Sequence, residues 1–220
     1  TSFHFGDRPP HSLDSNTYVR IVPFMARPSL RNALLDAGLR VLWKTGYAGA
    51  GVRDIVADAG ARPGSFTNHF ASKEAFAEEV LERYFDHLRG LIAVALAERG
   101  LSPAGRLRRY LDVITDKAAA RGFEQGCLIG DMSLETTAHS ERLRLRLAAI
   151  YAEWRELFAG CIAEGQATGE ISRDFTGDEL ADFLISGWQG ALLRMKVVRS
   201  REPLERFKAI VFATVFGKPT

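Results

Sequence analysis

The chain has 220 residues, of which 46% are hydrophobic and 25% charged, a composition typical of a soluble globular protein of one large or two small domains. Its 29 lysine and arginine residues against 27 acidic ones give a formal net charge of +2, which excludes a polybasic tail but still permits a local basic patch. No apolar run approaches the ~18 residues of a membrane span, and the N-terminal residues do not show the pattern of a secretory signal.

Residues 1–28 contain four prolines and no sustained periodicity, so we predict an irregular arm. Met25 opens the run MARPSLRNALL, and the sequence leaves open whether the residues before it are native. Helical patterns begin with Ser29 as a plausible N-cap, and the first helix is expected to end near Gly46. A short helix with Val52, Ile55 and Val56 on one face follows, and a longer one begins at Lys73.

The second half of the chain also has helical patterns throughout. They run from Pro103 towards Ala120, from Leu128, from about Ser140 to Gln166, from about Gly177 to Val198, and from about Pro203 to Phe216. No alternating strand pattern bounded by turn residues occurs in the sequence. We therefore predict an all-α protein of about nine helices.

The stretch DAGARPGSFTNHFASKEAF, residues 58–76, breaks one helix and begins another within about four residues. Gly60 permits a sharp turn, and Pro63 suits the first turn of the next helix. Phe66 and Phe70 lie one turn apart and are expected to fix that helix to the core. Two short helices joined in this way form a helix-turn-helix unit. The alternative is an ordinary helical hairpin within an all-α bundle.

Polar residues around the two phenylalanines are expected to point outward, where they can reach base edges and phosphates in a major groove. With the basic residues suited to the phosphate backbone, the predicted DNA-binding set is Arg27, Arg53, Arg62, Ser65, Thr67, Asn68, His69 and Lys73. For His69, packing against the next helix is the alternative. Basic and acidic residues are nearly balanced in this region, so the prediction depends on the motif and not on charge.

The segment GYAGAGVRDIVADAGARPGSFTNHFASKEAF resembles the DNA-binding signature of the tetracycline-repressor (TetR) family of bacterial regulators. The chain departs from that signature at two places. Thr67 stands where the family usually has a phosphate-contacting tyrosine, and Ala50–Gly51 replaces the hydroxyl residues that usually cap the second helix. The resemblance implies a cytoplasmic homodimer that binds a palindromic double-stranded DNA operator and responds to a small molecule.

The runs RGFEQGCLIGDMSLET and GWQGALLRMK are similar to those of acrylate-responsive and N-ethylmaleimide-responsive repressors of that family. This resemblance implies a small-molecule effector, either a small unsaturated acid or an electrophile. We therefore divide the chain into the arm (1–28), a helix-turn-helix DNA-binding domain that we call the reader (29–76), and a ligand-sensing and dimerisation domain that we call the sensor (77–220).

The predicted ligand-binding residues lie on three helical segments of the sensor, and they are Cys127, Asp131, Trp154, Trp188 and Arg194. Arg194, if buried, needs an anionic partner, which is either Asp131 or a ligand carboxylate. For Trp188, core packing and pocket lining are both open. The apolar spacing in the last two helices predicts an intersubunit four-helix bundle. The residues assigned to it are Phe183, Leu184, Trp188, Leu192, Leu204, Phe207, Val211 and Val215.

Cys127 begins a predicted helix, and a helix N-terminus lowers the pKa of a thiol, which would suit the detection of an electrophile. The alternative is a small buried apolar residue. Cys161 lies in an apolar helical stretch and is predicted to be structural. The spacing of the two cysteines is not that of a metal site, and two cysteines without an export signal favour a reduced, cytoplasmic compartment.

We predict a repressor that a small molecule releases from its operator by shifting the helix that begins at Lys73. An activator, or a repressor whose ligand promotes DNA binding, is the second possibility. The rival outside this class is a helical-bundle binding protein or enzyme with Cys127 as nucleophile, for which the sequence shows no recognisable partner base. We therefore predict no catalytic residue, no metal and no other cofactor.

Overall fold

Eight α-helices form the part of the chain that the computed structural model describes, residues 29–217. They are α1 (Leu30–Gly49), α2 (Val52–Asp58), α3 (Lys73–Leu96), α4 (Pro103–Ala120), α5 (Leu128–Thr136), α6 (Glu141–Ala167), α7 (Gly177–Val198) and α8 (Glu202–Thr214). These residues contain no strand, and the predicted all-α class is confirmed. The predicted arm, including Arg27, lies outside the described residues. None of the described helices has the length and apolar composition needed to cross a membrane.

Hydroxyl side chains cap five of these helices by accepting a hydrogen bond from a backbone N–H in the first turn. They belong to Ser29, Ser72, Ser102, Ser140 and Thr176. In contrast, α2 follows Gly51 and has no side-chain cap. The sequence has Ala50–Gly51 where hydroxyl residues usually cap this helix, and in the structure α2 accordingly begins without a side-chain cap.

The helix expected after the reader's tight turn is absent as a regular helix. Residues 63–69 form a series of turns, in which the backbone N–H of Ser65 donates to the carbonyl of Arg62 and that of Phe70 donates to the carbonyl of Phe66. The physical reason is Gly64, whose φ of +85° is in the left-handed region and so interrupts any α-helix that passes through it. We call residues 63–70 the recognition turn.

Helix α3 connects the reader to the sensor without a break. It begins at Lys73, crosses the predicted domain boundary after Phe76, and continues to Leu96. Most of its length is buried on one face, from Phe76 through Tyr84 to Ile92. The two predicted domains are therefore joined by one continuous helix.

Helices α3 and α6 run parallel and are joined by a row of ion pairs that we call the ladder. Three of these pairs, Glu78 with Arg142, Glu82 with Arg146, and Arg89 with Glu153, each join residues 64 positions apart. A constant separation along the chain means that both helices advance in the same direction in register. Arg146 also contacts Glu153, at 3.1 Å.

Candidate nucleic-acid interface and effector cavity

A trio of phenylalanines fixes the recognition turn to the reader's core. The ring centroids of Phe66 and Phe70 lie 5.0 Å and 4.7 Å from that of Phe76 on α3, and 5.3 Å from each other. All three side chains are buried. Aromatic pairs at these separations and tilts stabilise a structure beyond the area that they bury. The predicted role of Phe66 and Phe70 as anchors is confirmed.

The recognition turn exposes three of its four predicted polar residues. Thr67, Asn68 and His69 are exposed, and the hydroxyl of Thr67 donates to the carbonyl of Gly64 at 3.0 Å. Because His69 is exposed, the alternative that it packs against the next helix does not apply. The expectation that Ser65 points outward is wrong. Its side chain is buried, because the turn conformation at Gly64 rotates the next residue towards the core.

The basic residues of the reader lie in different surroundings. Arg53 on α2 and Arg62 before the recognition turn are exposed to solvent. Lys73 is only partly exposed, and its ammonium donates a hydrogen bond to the carbonyl of Tyr47 at 2.6 Å while lying 4.5 Å from the centre of that ring. Burial lowers the pKa of Lys73, and nearby Glu135 partly offsets this effect. Lys73 thus connects the start of α3 to the end of α1.

A cavity lies at the centre of the sensor, between α3, α4, α6, α7 and the segment that precedes α5. The space that the centres of water molecules can reach is about 40 Å³, room for roughly three waters. Five aromatic side chains line it, from Trp43, Tyr84, Tyr110, Trp154 and Trp188. Trp43 belongs to α1 of the reader, so the cavity is walled by both domains.

The polar part of the cavity wall is basic. His87, Lys117 and Arg121 line it, and no acidic residue is among its described lining residues. Burial, followed by the charges of Lys117 and Arg121, lowers the pKa of His87, and burial together with Arg121 lowers the pKa of Lys117. The guanidinium of Arg121 lies 4.6 Å from the centre of the Trp43 ring. A cluster of basic groups that lowers the pKa values of His87 and Lys117 is a setting in which a bound anion is favoured.

Cys127 lies in the cavity wall as the residue before α5, and it is buried. The hydroxyl of Tyr84 donates towards its sulfur, with 3.8 Å between Oη and Sγ. Burial raises the pKa of Cys127, and the nearby polar groups of Gln189, Tyr84 and the backbone offset only part of this effect. The pKa depression expected from the helix N-terminus is therefore wrong, because desolvation outweighs it.

Cys161 is also a buried thiol. Burial raises its pKa to about 11, and its sulfur lies 3.4 Å from the carbonyl oxygen of Pro103 on the neighbouring helix. This position is that of a structural cysteine, as the sequence indicated.

The structure separates the five predicted ligand-binding residues into two groups. Cys127, Trp154 and Trp188 line the cavity, and the indole N–H of Trp154 is buried without a hydrogen-bond acceptor. Asp131 and Arg194 do not line it. Arg194 is exposed, and Asp131 accepts both its hydrogen bonds from Lys196, at 3.0 Å each. An anionic partner was expected for Arg194 only if it was buried, and this condition is not met; Lys196, not Arg194, pairs with Asp131.

Three basic cavity residues were missed from the sequence, namely His87, Lys117 and Arg121. They come from α3, from α4 and from the residue that follows α4, and no local pattern joins positions so far apart. The sequence does carry one indirect signal, which is a histidine, a lysine and an arginine beside apolar helical faces in a chain with few buried charges.

Helices α7 and α8 expose several large apolar side chains. These are Phe183, Leu193, Val197, Val198 and Ile210. Several residues that the sequence assigned to an intersubunit bundle instead pack within this chain, among them Leu184, Trp188, Leu192 and Leu204. The sequence identified the apolar residues of both helices, but not which of them turn towards the chain's own core.

Comparisons with known proteins agree with this geometry. Residues 34–80 match the family model described as bacterial regulatory proteins, tetR family, and residues 103–211 match the model of the tetracyclin repressor-like C-terminal domain. The chain is 45% identical to the HTH-type transcriptional repressor DhaR of Mycobacterium sp. strain GP1, over 86% of this chain and 93% of that protein. It is 34% identical to the transcriptional regulator AcuR of Cereibacter sphaeroides, over 80% of each chain.

Solved structures show the same fold. A regulatory protein TetR from Rhodobacter sphaeroides superimposes with a TM-score of 0.80 at 32% identity, over 84% of this chain and 98% of that one. The reduced form of NemR from E. coli superimposes with a TM-score of 0.75 at 26% identity, over 87% of this chain and 98% of that one. With two family models, these relatives and the reader geometry in agreement, the chain belongs to the tetracycline-repressor family of bacterial transcriptional regulators.

Proposed function

We propose that this protein is a cytoplasmic, ligand-responsive repressor that binds a palindromic operator as a homodimer and is released by a small molecule in the sensor cavity. The observation that carries the proposal is the recognition turn. It exposes Thr67, Asn68 and His69 while Phe66 and Phe70 hold it in the core. Short polar side chains on a rigid, protruding segment are what direct readout of base edges requires.

A homodimer supplies the second recognition turn that a palindrome needs. The surface that supports it is the apolar outer face of α7 and α8, on which Phe183 and Ile210 are 52% and 58% exposed. An exposed apolar face on two adjacent helices gains stability when an identical face covers it.

For the effector, the cavity favours a small unsaturated acid over an electrophile. The basic wall of His87, Lys117 and Arg121 suits a carboxylate, and the aromatic walls suit a flat apolar body. The volume limits the effector to a few non-hydrogen atoms unless the walls move. An electrophile needs a thiolate, whereas burial keeps Cys127 protonated. The raised pKa of Cys127 also argues against the alternative function, an enzyme that uses this thiol as its nucleophile.

Release follows from the continuity of α3. The same helix carries Phe76, which packs on the recognition turn, and Tyr84, which lines the cavity. A ligand that displaces the cavity end of α3 therefore alters the spacing of the two recognition turns in a dimer. Ligand and operator then weaken each other's binding by the same factor.

The test is a titration of a fluorescent duplex carrying the DNA upstream of the protein's own gene, at fixed salt, against a scrambled duplex of equal length. We expect the upstream DNA to bind at least a hundredfold more tightly, and sodium acrylate, but not its neutral isostere acrylamide, to weaken that binding reversibly. Equal affinity for both duplexes would contradict DNA readout. A ligand that tightens binding would reverse the proposed sign.

A further inference from the structure

The end of the reader helix α1 is attached to both ends of the sensor helix α5. At one end, the indole N–H of Trp43 donates to the carbonyl of Gly126 at 2.9 Å. At the other end, the backbone N–H of Ala48 donates to the Glu135 carboxylate at 3.0 Å. These contacts cross the predicted domain boundary without involving α3. We call the pair of hydrogen bonds the clasp.

The reader is shaped to receive the Glu135 carboxylate. Gly46 interrupts α1 with φ 74° and ψ 173°, a conformation that side chains rarely adopt. A Cβ atom at Gly46 would lie within 3 Å of both carboxylate oxygens of Glu135, at 2.3 Å and 2.8 Å. Only glycine permits both the backbone angle and the close approach. The break in α1 and the carboxylate therefore fit each other.

A third element, α3, also contacts the junction between α1 and α2 that the clasp holds. Lys73, the first residue of α3, donates to the carbonyl of Tyr47, and its ammonium is within electrostatic range of Glu135. The junction between α1 and α2 is thus held by α5 from one side and by α3 from the other. Since α2 begins at Val52, directly after this junction, its position and that of the recognition turn depend on both.

The other end of the clasp lies in the cavity wall. Trp43, Gly126 and Cys127 are all cavity-lining residues, so a molecule in the cavity contacts both partners of the Trp43–Gly126 hydrogen bond. Helix α5 has nine residues, which is short enough to move as one body. A displacement of its first residue is therefore transmitted to Glu135 in its last turn.

We propose, on the basis of the function proposed above, that α5 is a second route from cavity to DNA and that Glu135 is a positioning residue for operator binding. The carboxylate is exposed, so its contribution to the stability of the fold is small. Its contribution is to orientation. It fixes the angle at which the reader leaves the sensor through a hydrogen bond to α1 that does not pass through α3.

The test compares Glu135→Ala and Glu135→Gln with the matched control Glu124→Gln, an exposed acid at the same groove whose ion pair, with Arg199 at 3.7 Å, stays within the sensor. For each full-length protein we measure affinity for the upstream duplex, affinity for a scrambled duplex, thermal unfolding, and backbone hydrogen exchange at residues 46–50. Glu135→Gln keeps an oxygen acceptor and serves as the conservative variant.

We expect Glu135→Ala to weaken binding to the upstream duplex at least about fivefold, with scrambled-duplex affinity and melting temperature unchanged and exchange at residues 46–50 faster. Glu135→Gln should recover part of the affinity, and Glu124→Gln should match the wild type. Wild-type affinity and exchange in Glu135→Ala would overturn the proposal. If the wild type itself cannot discriminate between the duplexes, the proposed function fails, and exchange at residues 46–50 still decides whether Glu135 holds the junction.

Discussion

The hydroxyl oxygen of Tyr84 lies 3.8 Å from the sulfur of Cys127, and both groups are buried in the wall of the sensor cavity. Burial raises the pKa of each of them. At neutral pH, Tyr84 is therefore a hydrogen-bond donor to a thiol that itself stays protonated. For the proposed effector, this relationship favours reversible binding over covalent capture.

The first prediction concerns the reactivity of that thiol. Because the pKa of Cys127 is raised, its thiolate fraction at neutral pH is below that of a free cysteine, and it increases only as the pH rises towards the raised pKa. We expect iodoacetamide to modify Cys127 at least tenfold more slowly than glutathione at pH 7.5, as measured by mass spectrometry of the intact protein. The variant Cys127→Ser shows how much of any modification occurs at Cys161 instead. Rapid modification of Cys127 at neutral pH would instead support the hypothesis that this thiol detects an electrophile.

The second prediction concerns base readout. Asn68→Ala removes an exposed amide that can pair with a base edge, so affinity for the upstream duplex should fall by at least about fivefold, which corresponds to roughly 1 kcal/mol or more. Affinity for the scrambled duplex should not change. Thr137→Ala, a change at an exposed sensor residue, is the control. An unchanged ratio of the two affinities would remove Asn68 from the readout.

Thr67 allows the opposite experiment, a gain of contact. The family usually has a phosphate-contacting tyrosine at this position, and Thr67 is exposed. Thr67→Tyr should therefore tighten binding to upstream and scrambled duplexes alike, by about fivefold for one hydrogen bond of ~1 kcal/mol. A gain confined to the upstream duplex would show that this position contacts a base instead of the backbone.

The fourth prediction concerns the basic wall of the cavity. Arg121→Gln should weaken the binding of sodium acrylate, measured by calorimetry in the absence of DNA, by about fivefold or more. Arg108→Gln should have no effect, because Arg108 is also exposed and lies over an aromatic ring, that of Phe212, but is outside the cavity. Equal weakening in both variants would indicate that only the net charge matters.

The fifth prediction concerns the dimer. Phe183→Glu places a charge in the exposed apolar face of α7, and we expect the dissociation constant of the dimer to rise about thirtyfold or more. Val94→Glu places the same charge at an exposed valine on α3 and should leave the dimer intact. Sedimentation at several concentrations distinguishes these outcomes. An undisturbed dimer in Phe183→Glu would place the subunit contact elsewhere.

Local patterns were sufficient to predict the helices, because each is encoded within its own segment. The serine caps at Ser29 and Ser72 and the anchors Phe66 and Phe70 follow from rules that act within one turn. The prediction of a regular helix at residues 63–70 was wrong, and the reason is also local. Pro63 was interpreted as suiting the first turn of that helix, whereas the positive φ of the next residue, Gly64, prevents the helix from forming.

The remaining errors come from contacts between distant segments. Periodicity showed that α7 has apolar residues on both faces, but it cannot tell whether Trp188 or Phe183 turns towards the chain's own core. In the same way, the choice of Lys196 over Arg194 as the partner of Asp131 depends on the rotation of α7 against α5. Glu135 was not identified at all, since its partner is a backbone N–H 87 positions away.

The ladder between α3 and α6 sets the lengthwise alignment of the two helices more than it stabilises the fold. Each of its ion pairs is partly exposed, and such pairs contribute little to the free energy of unfolding. Because all three repeat at the same separation, they are satisfied together only when the helices are correctly aligned lengthwise. Reversing one pair, Glu82 with Arg146, would keep that pair at the same separation but would place an acidic side chain where Arg146 now contacts Glu153. We expect such a variant to keep nearly its normal melting temperature, while repulsion from Glu153 alters the alignment of α3 and α6 and so the position of the recognition turn.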